Sequence, residues 1–180
     1  MKLGVYIGSF NPPHKGHKYV IDYLLDKKIV DKVLIVPTKN YWDKQDLVDI
    51  KDRIRMLKFY ENDCVKVDTT HNEYNYTYEL MRELKKEYDD ELYLIIGADN
   101  IVNFDKWKNY EELLKYHIII MNRNGIDIEK YIEKYKGKFL IQKDFHEIDI
   151  SSTKIRNKIN DEYLDQEIKK YIINNNLYQG

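Results

Sequence analysis

Val5-Tyr6-Ile7-Gly8-Ser9-Phe10-Asn11-Pro12-Pro13-His14-Lys15-Gly16-His17 joins three kinds of sequence in thirteen residues. The apolar run over residues 3–7 stops at Gly8-Ser9, two prolines then exclude helix, and an amphipathic pattern carrying Val20, Ile21, Leu24 and Leu25 follows. The expected local structure is strand, phosphate-sized loop, helix. The amides of Gly8 and Ser9 and the free amides of the helix start would point at one place, with the positive end of the helix dipole behind them, which suits an anion. His14 and His17, three apart at the helix entrance, can lie on one face, and Gly16 between them has no side chain to hold a phosphate away. Two imidazoles so aimed can donate hydrogen bonds and stabilise charge that grows during transfer. A metal pair or two surface histidines would show the same spacing, but no third Cys, His or acidic ligand stands at matching spacing nearby.

Composition narrows the function classes. A chain of 180 residues most simply forms one domain with a sizeable core. The formal charge of -1 supplies no global basic field for nucleic acid. No run of about 18 apolar residues is present, so no membrane span is expected. Met1-Lys2 leads straight into the first strand without an apolar signal region, and the single cysteine, Cys64, cannot form an internal disulfide, so a cytoplasmic protein is expected. A homo-oligomer is left open.

Beyond the first helix, which extends to about residue 28, apolar strands alternate with amphipathic helices. Strands are expected at 32–37, 65–68, 92–96, 118–121 and 139–142, helices at 50–61, 76–88, 110–115 and 128–135, and a helical C-terminal quarter. Such alternation favours a parallel sheet with helices on both faces. Ligands of open sheets of this kind sit beyond the carboxyl ends of the strands, so the loops there hold the candidates for chemistry.

The segment from Gly8 to His17 resembles the G-x-F-x-P-x-H-x-G-H element of the nucleotidylyltransferase superfamily, above all that of the bacterial nicotinate-mononucleotide adenylyltransferases. Two later segments resemble the same family. Ile95-Ile96-Gly97-Ala98-Asp99 is similar to its I-I-G-x-D, with Trp107 eight residues after Asp99. Asp149-Ile150-Ser151-Ser152-Thr153-Lys154-Ile155-Arg156 is similar to its I-S-[ST]-x-x-I-R pattern. The resemblance runs from residue 3 to about 178, ends in a matching Leu177-Tyr178, and departs at residues 39–48, where a Pro-Pro-His-Lys run is replaced and only Lys44 keeps its place.

The residues support part of this on their own terms. A strand ending at Gly97 permits close backbone approach, and Asp99 just beyond it can accept hydrogen bonds from ribose hydroxyls or cap the next helix. Ser151, Ser152 and Thr153 supply hydroxyls and helix-start amides, and Arg156 lies one turn on, which makes either a second anion site or an ordinary N-cap with a surface arginine. Asn75 or Thr77 could cap the helix that opens beside them. Arg53, before Met56-Leu57, is either a solvated arginine or a ligand contact. Trp42 and the lysines of residues 38–44 form either a ring-stacking lid or a solvated loop.

The family's pattern implies an α/β fold: a Rossmann-like doubly wound parallel sheet forming a single nucleotidylyltransferase domain over residues 1–180, with C-terminal helices. It implies that His14 and His17 are catalytic. Gly8, Ser9, Phe10, Gly16, Gly97, Asp99, Ser152, Thr153 and Arg156 would bind ATP. Lys44, Thr77, Asn103, Trp107 and Arg123 would bind the second substrate, with Trp107 stacked on a nicotinate ring and the amide of Asn103 among those meeting the pyridine substituent. The implied reaction is adenylyl transfer from ATP to nicotinate mononucleotide, giving deamido-NAD and pyrophosphate, with Mg²⁺ arriving on the nucleotide. Cys64 is placed away from the anion loops, so no covalent intermediate is expected. The alternatives are nicotinamide mononucleotide or another phosphate as acceptor, and a nucleotide sensor without turnover.

Overall fold

The computed structural model describes residues 1–39, 48–123, 125–147, 155–156 and 161–178. Six strands form one wholly parallel sheet in the order β3-β2-β1-β4-β5-β6: β1 (Lys2–Gly8), β2 (Lys32–Pro37), β3 (Val65–Val67), β4 (Glu91–Gly97), β5 (His117–Met121) and β6 (Lys138–Gln142). The connecting helices are α1 (Lys15–Asp26), α2 (Ile50–Leu57), α3 (Thr77–Glu87), α4 (Ala98–Ile101), α5 (Tyr110–Leu113), α6 (Ile128–Ile132) and α7 (Gln166–Asn174).

Both faces of the sheet are covered, which is why its central strands are nearly continuous in apolar residues. Side chains alternate along β4: Tyr93 and Ile95 pack with Ile21 and Leu24 of α1, Met56 and Leu57 of α2 and Ile168 of α7. Leu94 and Ile96 pack on the other face with Leu80, Met81 and Leu84 of α3, Ile101 of α4, Leu113 of α5 and Ile128 of α6. Each fully buried Leu or Ile in these layers contributes on the order of 2 kcal/mol.

The strand order reverses between β1 and β4, whose neighbours on their far sides are β2 and β5. A crevice opens at the carboxyl ends of the strands at such a switch point. Thr38 fixes its edge, because its N–H donates to the Gly8 carbonyl at 2.9 Å and so sets the ends of β1 and β2 side by side.

The helices are shorter than their apolar patterns suggest. The expected helix at 50–61 is α-helical only to Leu57 and tightens to a 3-10 turn over Lys58–Tyr60, and the one at 128–135 ends at Ile132. A one-turn helix, α4, begins directly after Gly97; it is too short to leave a periodic signal.

Candidate active site

His14 is the N-cap of α1, and it caps with its ring. The Gly16 N–H donates to His14 Nδ1 at 3.0 Å, while the His14 N–H donates to His17 Nδ1 at 3.1 Å, so the two histidines form a reciprocal capping box. The N–H groups of His17 and Lys18 both donate to the His14 carbonyl. The first-turn amides of Gly16, His17 and Lys18, expected to face an anion, are therefore occupied within the cap. The imidazoles remain. An Nδ1 that accepts carries no proton, so each neutral ring keeps its proton on Nε2, the one polar group it has left for the cleft that both rings line.

The rings are stacked 3.7 Å apart at 24°. Burial lowers the His14 pKa from 6.5 to about 4, and burial followed by the neighbouring His14 holds His17 well below its ordinary value. Both rings are thus neutral donors at neutral pH. Phe10 supports His17 edge-on at 4.8 Å and is itself 2% exposed, so it has only its backbone to offer a ligand. It holds that place with a left-handed φ of 48°, which is uncommon for a bulky residue.

This cleft, about 260 Å³, runs from the histidines to the ends of β4 and β5 and is lined by Tyr6, Gly97, Asp99, Arg123, Phe145 and Glu147 among others. A Cβ on Gly97 would lie 2.6 Å from Asp99 Oδ1, so only glycine lets that carboxylate fold back over the strand end. Arg123 bridges Asp99 and Glu147, at 3.0 Å to each. Burial, and then the charge of Asp99, push the Tyr6 hydroxyl well above its ordinary pKa.

A second cleft, about 430 Å³, is lined by Ile7, Ser9, Thr38, Lys39, His71, Tyr74, Asn75, Tyr76, Thr77, Leu80, Asn100 and Trp107. Trp107 is half-buried, with its ring 5.4 Å from that of Phe104. Thr77 begins α3; the N-cap position belongs to Tyr76, which makes no side-chain cap hydrogen bond. The end of β1 contributes to both clefts, Tyr6 to the first and Ile7 and Ser9 to the second.

Arg53 is neither solvated nor turned to a ligand. It is 1% exposed and donates to the carbonyls of Val48 (2.9 Å), Ser9 (2.8 Å) and Thr38 (2.7 Å), tying together the ends of β1, β2 and the chain entering α2. Because a carbonyl and the following N–H point opposite ways in a planar peptide, holding the Ser9 oxygen turns the Phe10 N–H away from Arg53. Asn11 is a second tie: its Oδ1 accepts from the Val48 N–H (3.2 Å) and the Tyr178 hydroxyl (2.5 Å), while its carbonyl accepts from Arg156 (2.6 Å).

The residues singled out in the sequence thus fall into two groups. His14, Gly16, His17, Gly97, Asp99 and Arg123 line the first cleft, and Ser9, Thr77 and Trp107 the second. Arg123, expected on the second-substrate side, lies on the side of Asp99 instead. Exposed Asn103 is not among the residues lining either cleft. Arg156 reaches the loop before α1 through Asn11. Lys44, Ser152 and Thr153 lie outside the described residues. Glu147, Tyr6 and His71 were not singled out, and only the position of Tyr6, two residues before Gly8, carried a signal for it.

A parallel sheet whose switch point holds two clefts at the end of β1, with paired imidazoles at one of them, is the arrangement of a nucleotide-binding α/β protein. The chain belongs to the cytidylyltransferase-like family, whose model matches residues 5–158. A probable nicotinate-nucleotide adenylyltransferase from Acholeplasma laidlawii is 36% identical over 183 residues, covering 97% of this chain and 96% of that protein. Another, from Aliarcobacter butzleri, is 34% identical over 186 residues, with 97% and 96% covered. In fold the chain is similar to the Plasmodium falciparum nicotinic acid mononucleotide adenylyltransferase complexed with NaAD, at a TM-score of 0.79 and 23% identity over 98% of this chain and 97% of that one.

Proposed function

We propose that this chain, acting as one nucleotidylyltransferase domain, transfers the adenylyl group of ATP to nicotinate mononucleotide. The observation that carries the reading is the reciprocal capping of His14 and His17, which leaves two neutral Nε2–H donors for the first cleft at the switch point. Relatives of matching length carry the name of that activity.

A 5′-phosphate oxygen of the mononucleotide attacks the α-phosphorus of ATP in line; a new P–O bond forms as the bond to the bridging α–β oxygen breaks, and pyrophosphate leaves with that electron pair. With no nucleophile required of the protein, catalysis is positioning and charge stabilisation. His14 and His17 donate to the phosphate oxygens on which charge grows, and the Phe10 amide joins them. Asp99 accepts from the adenosine ribose once Arg123 yields it. Arg156, with Ser152 and Thr153, holds the leaving pyrophosphate, and Lys44 assists from its loop. In the second cleft Trp107 stacks on the pyridine ring and Thr77 contacts the same substrate, with the Asn103 amide in reach of the pyridine carboxylate.

Among the described residues no group of three or more His, Cys, Asp or Glu could hold a metal ion, and both carboxylates of the first cleft face Arg123. A resident metal does not fit these residues, so Mg²⁺ enters as part of the MgATP substrate.

Pyrophosphate release measured with MgATP and either nicotinate or nicotinamide mononucleotide tests the reading. Preference for the acid is expected; preference for the amide would change the substrate, and release with neither would overturn the proposal.

A further inference from the structure

His71, at the edge of the second cleft, is gripped by two carboxylates. Its Nδ1 lies 2.8 Å from Asp68 Oδ1 and its Nε2 2.8 Å from Glu87 Oε1, and the side chain is 6% exposed. A neutral imidazole has one N–H, whereas two carboxylate acceptors at that distance call for two, so the ring is an imidazolium bonded to both. The other oxygen of Asp68 accepts the His71 backbone N–H at 2.8 Å, and the Asp68 N–H donates to the Ile35 carbonyl, which fastens the cluster to β2. Around the ring stand the Thr70 hydroxyl, 3.1 Å from Nδ1, and the Tyr74 ring at 6.1 Å; Tyr88 feels the same two carboxylates, and Lys39 lines the same cleft. Burial pulls the His71 pKa down, but the hydrogen bonds to Asp68 and Glu87, with their charges, outweigh it and raise the pKa above its ordinary value.

With both nitrogens engaged, His71 has no N–H for a ligand, although it lines the cleft. It holds the chain instead. Glu87 is the last residue of α3 and Thr77 the first, so the segment between His71 and Thr77 runs back along the helix, a length of about 16 Å. That segment gives the cleft Tyr74, Asn75, Tyr76 and Thr77, of which Asn75 and Tyr76 are exposed and gain little hold from burial. We propose that His71 is a positioning residue for the acceptor half of the site: by bridging Asp68 and Glu87 it fixes residues 72–77 as the wall against which the pyridine nucleotide binds. This rests on the function proposed above.

The test uses the full chain as wild type, His71→Gln and Glu87→Gln, the last changing a half-exposed side chain that the core does not need. In His71→Gln, amide hydrogen exchange over residues 72–77 should quicken and the KM for nicotinate mononucleotide should rise about tenfold, with the KM for ATP unmoved. Glu87→Gln should act in the same direction and more weakly. In the wild type the same KM should climb as pH rises through the His71 pKa, and this limb should be missing from His71→Gln, which also subtracts the titration of the substrate phosphate. Unchanged exchange over 72–77, or an equal rise in both KM values, would overturn the proposal. If the wild type turns over neither pyridine nucleotide, the functional reading and the acceptor role fall together, and the exchange measurement still decides whether His71 holds the segment.

Discussion

The Nδ1 of His14 accepts from Gly16 while the Nδ1 of His17 accepts from His14 itself, so the two rings that face the first cleft also begin the helix behind it. Capping uses the Nδ1 atoms, and the chemistry proposed above would use the opposite nitrogens, Nε2, of the same side chains. The two roles can be separated by substitution. Asparagine is a good N-cap and can accept the Gly16 N–H, but it is too short to place a donor where Nε2 stands. His14→Asn should lower kcat about a hundredfold or more while keeping Tm near the wild type, whereas His14→Ala should lower both, costing about 1 kcal/mol of stability. Kinetics and a thermal melt on the two variants check this; equal stability of both would show that the ring does not cap.

The lowered histidine pKa values set the response to acid. Between about 4 and 6.5 the unfolded chain binds a proton at His14 that the folded chain refuses, so stability falls as pH falls through that window. The full difference corresponds to about 3 kcal/mol. Tm measured across the window should drop less steeply in His14→Asn than in the wild type. By the same neutrality, kcat/KM should show no acid limb from this pair at pH values above the ordinary histidine range.

Trp107→Ala should raise the KM for the pyridine nucleotide by about tenfold and leave that for ATP unchanged, as expected for a lost ring-stacking platform. Trp107→Phe should recover most of the loss. Initial rates with each substrate varied in turn decide it, and an unchanged KM for the mononucleotide would remove Trp107 from the site.

Gly97→Ala brings a methyl group within 2.6 Å of Asp99 Oδ1. The carboxylate must swing away, and its 3.0 Å contact with Arg123 goes with it. The KM for ATP should rise by roughly tenfold with the fold preserved, and Asp99→Asn should move it in the same direction.

Arg53→Met would leave the carbonyls of Val48, Ser9 and Thr38 buried without their donor. A loss of about 3 kcal/mol is expected, which in a chain of this size lowers Tm by roughly 10 °C. Calorimetry measures it directly.

The sheet was legible because most of its strands are apolar runs of the right length ended by a glycine, a proline or a polar residue, as Val33 to Pro37 and Leu92 to Gly97 show. The histidine pair and Asp99 were legible because they stand at the helix starts that follow β1 and β4. Arg53 was not: its partners are carbonyls as far as 44 residues away, and no periodicity distinguishes a buried arginine from a solvated one on an amphipathic helix. His71 was hidden for the same reason, since Glu87 joins it only after α3 has folded back. The side on which Arg123 falls depends on how β5 sits beside β4, a matter of sheet order that its place in the sequence just after a strand does not disclose.

Asn11, in the loop before the two histidines, accepts a hydrogen bond from the hydroxyl of Tyr178, 167 residues away. The loop before the histidines is therefore held by a contact of very high sequence separation, whose loop-closure cost the rest of the fold must meet before the clasp can form.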